Sequence, residues 1–190
     1  MTVLDIMLMG NPILAEPADA VDDPCRPEIG ALVADMRETL AAAGGVGLAA
    51  PQVNRPLRLM LFEVPAGRTA EGRAVPMTVL INPAIEPLGD VAEEGYEACL
   101  SVPGLIGKVP RWHRIGYRGW GLDGKIVERE AIGFHARVVQ HEFDHLQGTL
   151  YLARMADFKS LAFVDELRRL AARSAARTDG VPPSGAKEPG

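Results

Sequence analysis

At 190 residues the chain has room for one well-packed domain and too little for two of ordinary size. Hydrophobic residues at 47% and charged residues at 24% exclude a wholly disordered or fibrous chain, and a net charge of −5 has the wrong sign for wrapping nucleic acid. Two cysteines, Cys25 and Cys99, are too few for a disulfide scaffold and suit a reducing compartment.

The N-terminal run MTVLDIMLMGNPIL lacks a basic region, is interrupted by Asp5 and never reaches the ~18–20 apolar residues of a membrane span. No membrane partner is expected, and the reading is a cytoplasmic protein. Twenty glycines and 15 prolines beside only 5% aromatics favour turns and short strands over a helical bundle, so the fold class expected is α+β.

Along the chain, Pro27 opens a predicted helix whose apolar positions Ile29, Leu32, Val33, Met36 and Leu40 share one face, and Gly44-Gly45 closes it. Leu57 to Val64 and Met77 to Asn82 read as strands. Tyr96 to Val102, Arg114 to Trp120 and Lys125 to Arg129 read as shorter ones, with Asp123-Gly124 as a hairpin turn between the last two. They imply small antiparallel sheets. From Ala131 to Gly148 the apolar spacing is helical again, through Phe134, Val138, Phe143 and Leu146. Asp157 to Ala176 has helix-forming composition near its end, while FVDEL could equally start as a strand. The domain is placed at 1–176, and the Gly- and Pro-rich segment 177–190 is expected to be a disordered polar tail.

The second helix carries the chemistry. In His141-Glu142-Phe143-Asp144-His145 two imidazoles stand four residues apart, one turn along one face, where both ring nitrogens can grip a single ion. Glu142 beside the first imidazole can serve as general base without being a ligand. The competing reading is a solvated helix face with two histidines, disfavoured because the flanking residues are apolar. An open catalytic site needs a third protein ligand. Tyr151 stands where a metzincin-type extension needs His, and Glu166 is available for a thermolysin-like arrangement without a recognisable second ligand helix around it. Upstream, Cys99 offers a soft thiolate, although a lone cysteine reads as readily as a small buried hydrophobe.

Three blocks then stand in order: Gly45-Val46-Gly47-Leu48-Ala49-Ala50-Pro51-Gln52, Glu97-Ala98-Cys99-Leu100-Ser101 and Gln140 to His145. Together they resemble the three signature motifs of the peptide deformylases, and the resemblance runs from Gly10-Asn11-Pro12 to about Leu167. It implies that Cys99, His141 and His145 bind one divalent metal ion. It also implies Glu142 as general acid and base, with Gln52 and the Leu100 N–H steadying the oxyanion. The activity implied is removal of the formyl group from N-terminal formylmethionine of nascent peptides, releasing formate. The architecture implied is small antiparallel sheets around a central HExxH-bearing helix. With the other motifs in place, Gly45 and Gly47 read as points where substrate backbone lies close. Val46, Phe134 and Val138 are candidates for the methionine pocket, the last two lying seven and three residues before His141, and Glu97 is placed at the substrate cleft.

Coordination rules favour zinc for such a donor set, whereas the resemblance implies Fe(II), with Ni, Co or Zn as substitutes. Two departures stand out: Ala98 where the family commonly has Gly, and Ile106 where it often has Arg, which takes away a positive partner expected for Glu97. Cys25 reads as incidental, His113 and His135 as structural, and Trp112 and Trp120 as packed on a sheet. The expectation is a monomer in a bacterial cytoplasm. The basic run Arg168, Arg169 and Arg173 reads as a solvated helix face or a surface meeting the ribosome.

Overall fold

The computed structural model describes residues 2–69 and 72–178. A first helix, α1 (Pro27–Ala43), begins with proline at its first position and ends at Gly44, whose φ of 67° lets its N–H turn back to Ala41 and Leu40 carbonyls. Strands β1 (Gly47–Ala49), β2 (Leu59–Val64) and β3 (Val75–Pro87) follow, then β4 (Ala92–Cys99), β5 (Val102–Trp112), β6 (Arg114–Trp120) and β7 (Ile126–Ile132). The chain continues through α2 (Phe134–His145), β8 (Ala162–Phe163) and α3 (Val164–Thr178).

All named pairings are antiparallel and make two sheets within a single domain, one in the order β1-β2-β3-β6-β7 and one in the order β4-β5-β8. β2 lies within the larger sheet and from Leu59 to Phe62 is apolar and buried on both faces, as a doubly covered strand must be, with Glu63 exposed near its end. Its alternate residues serve two cores. Leu59 and Leu61 pack with Ile29, Val33, Met36 and Leu40 of α1, while Met60, Phe62 and Val64 pack with Ala136, Val138 and Val139 of α2. The helix α2 touches β1, β2, β3, β6 and β7 on one side and β5 of the smaller sheet on the other. Gln140 pins it to β5: its side-chain oxygen accepts the Trp112 N–H at 3.1 Å and its amide donates to Trp112 O at 2.9 Å.

The first helix, the Asp123-Gly124 turn (Gly124 φ 71°) and Arg114–Trp120 agree with the sequence reading. The long strand β5 does not appear in that reading, because Pro103, Gly104, Gly107 and Pro110 punctuate it as if it were turns. The expected strand from Tyr96 to Val102 is two strands, broken by a turn at Leu100 and Ser101 immediately after Cys99. Ala131, expected to start the second helix, lies in β7 instead, and Gly133 at φ 60° makes the change of direction. In FVDEL, Phe163 is strand and Val164 begins helix, so both halves of that ambiguity are realised. Trp112 and Trp120 are each 40% exposed rather than packed away. Of the expected tail, 177 and 178 continue α3, and 179–190 lie outside the described residues.

Candidate metal centre

The turn that ends β4 delivers Cys99 against the face of α2 that carries His141 and His145. Cys99 Sγ lies 3.3 Å from His145 Nε2, and the three donor atoms of Cys99, His141 and His145 lie within 4.8 Å of one another. A tetrahedral ion with ordinary sulfur and nitrogen bond lengths separates such donors by about 3.5 Å, so the set fits one ion. This is the one His/Cys/Asp/Glu group with that spacing among the described residues. Cys99 and His145 are buried, and the rings of His141 and His145 meet edge to face at 5.1 Å.

The His141 ring is held from behind, while His145 Nδ1 is buried without a hydrogen-bond partner. Glu97 Oε2 bonds His141 Nδ1 at 2.8 Å, which leaves Nε2 as the ligand atom and fixes the tautomer. Glu97 itself is 5% exposed and clamped by Arg111, whose Nε donates to Oε1 at 2.8 Å and whose Nη2 donates to Oε2 at 2.9 Å. Burial alone would raise the Glu97 pKa; hydrogen bonds and charge from Arg111 and His141 outweigh it and hold the carboxyl at about 2. Arg111 Nη1 also reaches Asp144 Oδ2 at 2.5 Å, and Arg154 closes the other side of Asp144 at 2.7 Å. Burial lowers the His145 pKa well below its ordinary value, so its ring is neutral and ready to ligate.

Glu142 points to the same corner. It is buried, its Oε2 has no hydrogen-bond partner, and burial lifts its pKa to about 7, with Glu97 adding to the rise and His141 opposing it. A carboxyl poised near neutrality with an unsatisfied oxygen suits a group that takes and returns a proton. Gln52, 1% exposed, accepts the Ala49 N–H through Oε1 at 2.9 Å; its Nε2 donates to Ser101 Oγ at 3.1 Å and faces Cys99 Sγ at 3.6 Å. Leu100 sits in the turn beside Cys99 with its side chain packed toward the α1 core.

Several expectations change. Glu97 does not line an open cleft: both carboxylate oxygens are occupied by Arg111, Arg137 and His141. Ile106 therefore removes no partner from Glu97; it stands opposite Ala98 of β4 and Ala162 of β8. The glycines of the first block also lie close to the protein's own side chains. A Cβ at Gly47 would collide with the Glu142 carboxylate, and one at Gly45 would come within 2.8 Å of Leu40 and 3.2 Å of Leu100. Val46, Phe134 and Val138 do gather in one apolar cluster, with the Arg68 guanidinium stacked 3.5 Å over Phe134.

Glu166 is exposed on α3 and paired with Arg169, so it is no ligand. Tyr151 is buried, its ring stacked on His141 at 6.2 Å and its hydroxyl without a partner. His113 pairs with Glu93, His135 packs against Phe62 and Tyr117, and Cys25 is an exposed thiol. Sequence reasoning missed Arg111, Arg137, Asp144, Ser101 and Arg154. Asp144 and Ser101 had a signal, their places inside the His-to-His motif and the Cys99 block; the arginines come from stretches that carry no motif.

The family model described as polypeptide deformylase matches residues 3–160. The chain is 50% identical over 163 residues to peptide deformylase 1 of Bordetella pertussis, covering 85% of this chain and 93% of that one. Peptide deformylase 1 of Xanthomonas campestris is 51% identical over 166 residues, 87% of this chain and 97% of that one. Among solved structures, the Met-Ala-Ser-bound class I type b peptide deformylase from Acinetobacter baumannii aligns with a TM-score of 0.75 at 34% identity, covering 81% of this chain and 99% of that one. Geometry and likeness agree, and the chain belongs to the peptide deformylase family.

Proposed function

We propose that this chain removes the formyl group from the N-terminal formylmethionine of nascent polypeptides, using one divalent ion held by Cys99, His141 and His145. The observation that carries the reading is the convergence of those three donors with the buried carboxyl of Glu142, whose Oε2 has no hydrogen-bond partner, in a chain of the deformylase family. Bound there, a divalent ion supplies Lewis acidity that polarises a carbonyl and makes water acidic. Glu142 takes the proton from the attacking water as its oxygen adds to the formyl carbon. Gln52 Nε2 and the Leu100 N–H donate to the oxygen that becomes anionic, a kind of contact worth about 3–4 kcal/mol in the barrier. Glu142 then hands its proton to the amine as the C–N bond breaks, giving formate and a free methionine amino group. The Met-Ala-Ser bound to the Acinetobacter baumannii relative is a peptide of that product type.

The sheets pack around α2, so its inner face presents Val138 and, with Phe134 and Val46, an apolar wall for the methionine side chain. Gly45 and Gly47 border the same place. Fe(II) is the metal favoured, with Zn, Ni or Co as alternatives. The catalytic domain is placed at 1–176 and the protein acts as a monomer in a bacterial cytoplasm; no helix among the described residues is long and apolar enough to cross a membrane. Contact with the ribosome through α3 is the weaker part, because Arg168 and Arg169 are paired with Asp165 and Glu166 on their own helix.

The test is formate release from a short formyl-Met peptide by anaerobically purified, metal-quantified protein. Glu142→Gln is expected to lower kcat ~10²–10⁴-fold while the metal content stays at one per chain. Full turnover in that variant would overturn the role of Glu142, and absence of formate from the native protein would overturn the activity.

A further inference from the structure

Arg137 stands one turn before His141 on α2 and is 8% exposed. Its guanidinium lies on the β4–β5 strand pair: Nη1 donates to Glu97 Oε1 at 2.9 Å, Val109 O at 2.7 Å and Gly95 O at 3.2 Å, and Nη2 donates to Glu93 O at 2.7 Å. Gly95 makes this possible. A Cβ there would come within 2.7 Å of Nη2 and 2.8 Å of the guanidinium carbon. Glu97 thus receives Arg111 from β5 and both Arg137 and His141 from α2, the latter two at i and i+4 gripping the two oxygens of one carboxylate. Sliding or rolling of α2 against β4 would break both contacts at once.

We propose that Arg137 is a positioning residue of the metal centre: by fixing Glu97 to the backbone of β4 and β5 it fixes the ring of His141 toward the other two ligands. The proposal rests on the reading of Cys99, His141 and His145 as ligands. Side chains that orient a ligating imidazole typically change metal affinity 10–100-fold when removed. A residue that merely tied α2 to the sheet would change folding stability and leave the ion's surroundings as they were.

The experiment is Co(II) titration of the full, metal-stripped chain, read by its thiolate-to-cobalt and d–d absorption, with thermal unfolding measured beside it. The wild type is compared with Arg137→Lys, Arg137→Met, Glu97→Gln, the Arg137→Met/Glu97→Gln double variant and Cys99→Ala. Arg137→Met is expected to weaken Co(II) binding 10–100-fold and to move the d–d bands in the same direction as Glu97→Gln. The double variant is expected to show little more than either single change. Arg137→Lys keeps the charge but not the planar fork, and is expected to fail in the same way. A lowered Tm with wild-type affinity and spectrum in Arg137→Met would overturn the proposal; if that variant does not fold, the same result in Arg137→Lys would. A wild-type protein lacking a thiolate band that Cys99→Ala removes would instead overturn the ligand reading itself.

Discussion

The space between α1 and the larger sheet and the corner between α2 and β4–β5 are both buried, yet they are built from opposite materials. The first is filled by Ile29, Val33, Met36, Leu40, Leu48, Leu59, Leu61 and Ile81, with no charge among them. The second buries Glu97, Arg111, Arg137 and Asp144 in one connected set of ion pairs that also takes in His141, with Glu142 and His145 buried beside them. Apolar burial is non-directional and stabilises in proportion to area, so many shapes satisfy it. A buried ionic set gains little net free energy after desolvation, but its bonds are directional, and a single missing partner is costly. One region holds the chain together; the other holds the His141 imidazole at a fixed angle.

Substitutions can separate the two roles. Arg111→Met leaves Glu97 and Asp144 buried without their shared cation, and is expected to cost about 3–5 kcal/mol in urea unfolding together with most of the metal affinity. Met36→Ala opens a cavity in the apolar region and is expected to cost about 2–5 kcal/mol, with one metal per chain and kcat retained. Loss of metal in that variant would show that the two regions are coupled. Acid probes the ionic region alone. Glu97 is held at about 2 when folded against an ordinary value of 4.5, so it contributes stability above pH 4.5 that is lost as pH falls toward 2. Thermal unfolding between pH 5 and 3 is expected to show a falling Tm whose slope is shallower in Glu97→Gln. At the small end, Arg114→Ala removes an exposed pair with Glu130 and is expected to change stability by no more than about 1 kcal/mol.

These regions were also unequally legible. The α1 region follows from Pro27, the apolar spacing and Gly44, all local signals. The convergence of Cys99, His141 and His145 was legible because the His141–His145 spacing carries its own chemistry and the three blocks occur in order. What holds them in place was not. Arg111 and Arg137 meet Glu97 only because β5 and α2 fold over β4, and β5 itself is masked by its prolines and glycines. The same blindness made Ile106 look like a lost partner for Glu97.

Cys99 and His145 touch across 46 positions of sequence, with β5, β6 and β7 made in between. During synthesis the thiol therefore leaves the ribosome well before either histidine exists to share an ion with it. A chain stopped before Phe134 has every strand of the larger sheet and only one of the three donors. An ion gripped by all three donors can therefore be captured only after the second helix has been made and has docked.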